Sequence, residues 1–209
     1  MNQYFRIVGI AVLAMLALAV SSASAAKFTA ATYPTEVTGE SRMEAVTFKT
    51  EAGTFECAFH SKGVLAASSE VLTLTTTLNC SSAFFGMKIS MNGCTFSLAL
   101  PTGSVDTYSA TSGVTCPAGQ VIVVEIGGSE NYCQFTIPSQ TNMGKIDIAN
   151  DTVKGDVQVR YANEKMEYTV TFDKIGCPLS GTGTKNGGGL VQDVWETLDS
   201  TNGATINVG

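Results

Sequence analysis

The chain has 209 residues, a formal net charge of −6, and only 14% charged side chains, against about 25% in an ordinary soluble domain. Its lysines and arginines are scattered, so the clustered cations that neutralise phosphates are missing, which argues against a nucleic-acid partner. With so few charges, the surface must be built largely from Thr, Ser, Asn and Gly.

The first element in chain order is a targeting segment. Met1–Arg6 carries one positive charge, Ile7–Val20 is apolar, and Ala23-Ser24-Ala25 has the A-x-A pattern of a cleavage site. The apolar run is too short to cross a hydrocarbon core, which needs roughly 20 residues. The pattern predicts a signal peptide over residues 1–26, removed after Ala25 or Ala26, and one exported domain over residues 27–209. No later segment reads as a transmembrane anchor. Loss of Arg6 takes the net charge from −6 to −7, with 11 basic against 18 acidic residues.

Hairpin signals follow. Ala45–Thr54 returns through Glu51-Ala52-Gly53 into Ala58, setting Val46 against Cys57 and Phe48 against Phe55. Leu72, Leu74 and Leu78 alternate with Thr73, Thr75 and Thr77, the pattern of a half-buried strand. Met87–Met91 and Cys94–Leu98 flank Asn92-Gly93, a dipeptide suited to a two-residue turn. That turn predicts the pairs Met91–Cys94, Ile89–Phe96 and Met87–Leu98. Val121–Ile126 and Cys133–Ile137 face each other across Gly127–Tyr132. Asp147, Asn150, Asp151 and Asp156 gather oxygen donors in an expected loop. They lack the alternating spacing of a calcium-binding loop, so a solvated loop is the preferred reading.

Asp156–Tyr161 and Met166–Phe172 predict another hairpin, pairing Tyr161 with Met166, Val159 with Tyr168 and Val157 with Val170, with Arg160 opposite Glu167. The last candidate pair is Val191–Leu198 with Ala204–Val208 around Asn202-Gly203. No long window after Ala26 has a helical apolar period. Short strands separated by regular turn signals indicate an all-β domain, an antiparallel β-sandwich or barrel.

Six cysteines, Cys57, Cys80, Cys94, Cys116, Cys133 and Cys177, form an even set in an exported chain and read as three disulfides. Their spacing contains no C-x-x-C pair and His60 is the sole histidine, so no metal site is expected. Cys57, Cys94 and Cys133 share the parity of apolar neighbours and should point inward. A faint internal echo relates Cys80–Leu98 to Cys116–Ile137. If the two units are equivalent, the pairs would be Cys80–Cys94, Cys116–Cys133 and Cys57–Cys177.

The stretches Thr54-Phe55-Glu56-Cys57, Met91-Asn92-Gly93-Cys94-Thr95-Phe96, Thr115-Cys116-Pro117-Ala118-Gly119, Ile137-Pro138-Ser139-Gln140 and Gly176-Cys177-Pro178, in that order, resemble a group of exported bacterial proteins of unknown function. The resemblance implies export and a shared β fold. It implies no activity and transfers no functional residue.

No catalytic set is assembled in the sequence. His60, placed just past the strand Phe55–Phe59, lacks a partner motif, no G-x-S-x-G elbow occurs, and bridged cysteines leave no thiolate. No cofactor is expected. Two acids roughly 5–9 Å apart would suffice for glycoside hydrolysis, which keeps a secreted hydrolase as an alternative. Trp195 and Asp193 are the ligand-binding candidates: a ring flanked by polar groups suits stacking on a sugar or a protein surface. The commoner state for a large aromatic is burial, with Val191 and Trp195 facing inward. The expectation is a non-enzymatic binding or structural module at the cell surface or outside the cell. The alternatives are a hydrolase with a carboxylate pair, or an inhibitor presenting the Gly127–Tyr132 loop.

Overall fold

The computed structural model describes residues 26–41, 46–50, 53–81, 86–103, 107–127, 133–162, 166–174, 183–185, 190–191 and 194–209. Residues 1–25 of the expected signal peptide and Cys177 therefore lie outside the described residues, as do Asp193 and most of the Gly127–Tyr132 loop. The described chain is all β. In order, the strands are β1 (Phe28–Ala30), β2 (Thr35–Ser41), β3 (Val46–Thr50), β4 (Gly53–Leu65), β5 (Val71–Ser81) and β6 (Met87–Ser90). Then come β7 (Thr95–Gly103), β8 (Thr107–Thr115), β9 (Ile122–Ile126), β10 (Cys133–Ile137), β11 (Lys145–Asp151) and β12 (Asp156–Ala162). The last are β13 (Tyr168–Asp173), β14 (Gly183–Lys185), β15 (Leu190–Val191), β16 (Val194–Ser200) and β17 (Ile206–Val208).

An eight-stranded antiparallel barrel forms the body. Its strands run β4-β2-β16-β12-β11-β8-β7-β5, and β5 pairs back onto β4 to close the ring. Closure removes the free sheet edges that an open sheet would present. Strand periodicity decides what lies inside. Leu72 and Leu74 of β5 are buried while Thr73 and Thr75 are exposed, and Ile146 and Ile148 of β11 alternate with Lys145 and Asp147 in the same way. Val37, Leu65, Leu98, Ala110, Val157, Val159 and Leu198 complete the interior. Apolar-in, polar-out alternation is the inverse of what a lipid-embedded barrel requires.

One end of the barrel is covered by a two-stranded ribbon of β1 and β17. Phe28, Ile206 and Val208 pack into the barrel core. Asn150 fastens the ribbon. Its Nδ2 donates to the Val208 carbonyl, and the Val208 N–H donates to its Oδ1, both at 2.8 Å. The two ends of the described chain meet here, with Lys27 and Gly209 exchanging N–H···O bonds of 3.0 Å.

A five-stranded sheet, β14-β13-β10-β9-β6, builds a second core from Ile122, Val124, Ile126, Phe135, Ile137, Tyr168 and Val170. Val114 and Phe96, near the far ends of β8 and β7, pack into it. Gln140 ties it to the barrel: its backbone pairs with Val114 of β8, and its side-chain amide exchanges bonds with the backbone of Glu167 at 3.0 and 2.9 Å.

The expected hairpin of Ala45–Ala58 forms with the anticipated partners, Val46 facing Cys57 and Phe48 facing Phe55, and the segments of the Val121–Ile137 hairpin also pair, with Val124 facing Phe135. Three others do not form, for one physical reason. A strand has two hydrogen-bonding edges, and in each case both are taken by other strands. β7 is flanked by β5 and β8, so β6 pairs with β9 instead. The Asn92-Gly93 turn is still made, with φ of 49° and 78° and a 2.8 Å bond from the Cys94 N–H to Met91. Its two arms then enter different sheets. β12 lies between β11 and β16, so Arg160 faces Asp147 and Trp195 rather than Glu167, and β13 joins the second sheet. β16 lies between β12 and β2, and β17 leaves past the Gly203 turn to pair with β1.

The disulfide pairing differs as well. Cys57 is bonded to Cys80 and Cys94 to Cys116. Cys57 and Cys80 are register partners on β4 and β5, both on the inward-facing parity. Cys133 is also disulfide-bonded. The internal echo misled the pairing because Cys94 leads into β7 of the barrel and Cys133 opens β10 of the second sheet. The two units are not equivalent in space.

A candidate site on the outer wall of the barrel

The barrel interior is mostly apolar, with a few buried hydroxyls such as Ser61 and Thr76, which hydrogen-bond each other at 3.1 Å; the charged side chains lie on the outside. Over β2, β4 and β5 this outer wall holds an open groove of about 600 Å³. Glu36 and Thr38 line it from β2, Lys62 and Val64 from β4, Thr73 and Thr75 from β5, and Thr201 from beyond β16. The same alternation that turns Leu72 and Leu74 inward presents the threonines here. Thr38, Lys62 and Thr75 are successive register partners across the three strands. Thr201 is fixed beside Glu36: its N–H donates to the Glu36 carbonyl at 3.1 Å and its hydroxyl to the Glu36 carboxylate at 3.3 Å.

Gly63 sits between Lys62 and Val64 and lets β4 and β5 approach. A Cβ there would stand 2.5 Å from the Thr73 carbonyl oxygen and 3.0 Å from Leu74. Val64, 59% exposed, offers the groove an apolar platform. The lining thus combines hydroxyl donors and acceptors, one ammonium, one carboxylate and a small apolar surface. Such a set can form directional hydrogen bonds to a polar molecule, and Glu36 is the one acid among the described lining residues.

The wall continues round the ring. His60, Glu40, Thr197, Gln158, Ala149 and Thr107 are successive register partners on β4, β2, β16, β12, β11 and β8. His60 is therefore a mid-strand residue of β4 rather than one just past a strand ending at Phe59. It is exposed, with Nδ1 3.4 Å from the Glu40 carboxylate. In the neighbouring row Trp195 is the register partner of Arg160, which faces Asp147 on its other side. Position 195 has the parity of Thr197 and Asp199, opposite to that of the buried Leu198.

The acidic cluster proves to be a hairpin rather than a loop. Asp147, Asn150 and Asp151 belong to β11 and Asp156 opens β12, with Asp151 facing Asp156. Each has separate work. Asp147 pairs with Lys145 at 2.9 Å, Asn150 holds β17, and Asp151 Oδ1 accepts the N–H groups of Val153 and Lys154 at 3.1 and 3.2 Å. Asp156 accepts from Gln158 Nε2 at 2.8 Å. Among the described residues no group of three or more His, Cys, Asp or Glu could hold a metal ion. No described helix is long and apolar enough to cross a membrane.

Sequence reasoning identified the outward threonines of β5 but missed Glu36, Thr38, Lys62 and Thr201. Their juxtaposition depends on β2 lying between β4 and β16, a pairing of segments far apart in the chain. Comparison with protein-family models, with curated proteins and with solved structures finds no match.

Proposed function

We propose that the chain is an exported, non-enzymatic binding module that takes a polyhydroxylated ligand, a glycan, on the outer wall of its barrel. The observation that carries this reading is the groove over β2, β4 and β5, where hydroxyl, ammonium and carboxylate groups surround an exposed valine. Bridged cysteines are compatible with an oxidising compartment outside the cytoplasm. A hydrolytic role finds less support, because glycosidases flank the scissile bond with two carboxylates and the lining supplies Glu36. Trp195 is the proposed second contact, a reading supported by the outward parity of its position on β16 and its register with Arg160. Asp193, two residues before it, is the companion contact proposed from sequence.

A glycan array followed by titration calorimetry tests this. In the purified domain, Lys62→Ala and Thr75→Val should each weaken binding by about tenfold, equivalent to about 1.4 kcal/mol, with the circular dichroism spectrum unchanged. Trp195→Ala should do the same. Full binding in both groove variants would remove the groove from the reading. Glycan hydrolysis abolished by Glu36→Gln would replace the module with an enzyme.

A further inference from the structure

Among the described residues, the wall contains a place where its own hydrogen bonding is incomplete. Gln158 of β12 and Thr197 of β16 are register partners. Gln158 is only 8% exposed although it lies on the outer face, opposite in parity to the core residues Val157 and Val159. Its amide orientation is fixed, since Nε2 donates to the buried carboxylate of Asp156 at 2.8 Å. That leaves Oε1 as an acceptor, and Oε1 finds no hydrogen-bond partner among the described residues. Thr197 Oγ1, on the facing strand, is buried and likewise unpartnered.

Two shielded polar atoms on directly paired positions are costly to leave unmade, each by roughly 1–3 kcal/mol. An acceptor beside a hydroxyl is satisfied by one further hydroxyl group, which donates to the amide oxygen and accepts from, or donates to, the threonine. We propose that Gln158 and Thr197 form a binding niche for a single O–H group. Two sources share this chemistry: a trapped water molecule, or one hydroxyl of a saccharide lying on the wall. The second source rests on the binding reading above, and the first does not.

Nuclear magnetic resonance on the isotope-labelled domain separates the cases. A water guest gives cross-relaxation between solvent and the Thr197 hydroxyl or Gln158 side-chain amide protons, and it persists when cellohexaose is added. A saccharide guest gives saturable shifts of the same protons and suppresses the water signal. Either result supports the niche. If only the water result appears, the groove variants still decide the glycan reading independently.

A stability cycle provides the second measurement. Thr197→Val should lower the folding equilibrium constant about tenfold, and Gln158→Leu should lower it further because it also strips the Asp156 carboxylate of its donor. The double variant should lose about as much as Gln158→Leu alone rather than the product of the two losses, because loss of either side releases the shared guest. Thr197→Ser, which keeps the hydroxyl, should stay near the parent. Independent, multiplying losses together with the absence of both cross-relaxation and saccharide shifts would overturn the proposal.

Discussion

Asn150 offers the sharpest test of how the barrel end is held shut. Its side-chain amide stands where a neighbouring strand would, accepting from and donating to Val208 at 2.8 Å. Val208 is buried in the core, so its backbone groups have little access to water. Asn150→Ala removes two hydrogen bonds, each with a net contribution near 1 kcal/mol. It also strands two shielded backbone groups, each costing up to a few kcal/mol. The expected loss is about 2–4 kcal/mol, a large share of a typical 5–15 kcal/mol stability.

Equilibrium unfolding in urea measures it, read as a lowered midpoint at constant slope. Native-state hydrogen exchange locates it: protection should fall first at Phe28, Ile206, Val208 and Gly209, while Ile146 and Val159 remain protected. A loss below about 0.5 kcal/mol, typical of surface substitutions, would refute the reasoning, and so would a uniform fall in protection across the barrel. Chelator should change nothing, because the bracket uses Asn150 for structure and not as a cation ligand.

Peptide mapping without reductant should recover Cys57 joined to Cys80 and Cys94 joined to Cys116. Each closes a loop of about 22–23 residues, so replacing either pair by Ala should cost about 3 kcal/mol in denaturant unfolding. Gly63→Ala should destabilise by about 1–3 kcal/mol, since the new methyl meets the Thr73 carbonyl; a neutral result would mean that β4 and β5 part easily there. Phe96→Asp should unfold the domain because Phe96 packs against the second core, whereas Thr75→Asp on the exposed wall should stay within about 0.5 kcal/mol.

Local pattern carried the sequence reading a long way and then stopped at a definable point. Alternation identified the inward leucines of β5 and the partners of Val46 and Phe48, because those pairs are set by a short connection and one matched face. It also located the Asn92-Gly93 and Asn202-Gly203 turns. It failed where the apolar face of a strand fitted several neighbours equally well. Val157 and Val159 match Tyr168 and Val170 in alternation, yet they pair with β11 and β16 in the barrel. The decision belongs to edge occupancy over the whole ring, which no window of sequence contains. The groove was hidden for the same reason, as Lys62, Thr38 and Thr75 meet only after β2 has been placed. Arg160, which faces Asp147 and Trp195, was assigned to the wrong neighbour.

The position of β16 has a kinetic consequence. It is inserted between β2 and β12, so a strand from the beginning of the domain waits for one from its end, more than 150 residues away. Until residues 194–200 arrive, the facing edges of β2 and β12 are bare templates for pairing with other chains. Such non-local closure belongs to the slow end of folding rates, because the entropy of the long loop is lost before its contacts form. A chain truncated before Val194 should therefore accumulate as an open, self-associating sheet rather than as a smaller barrel.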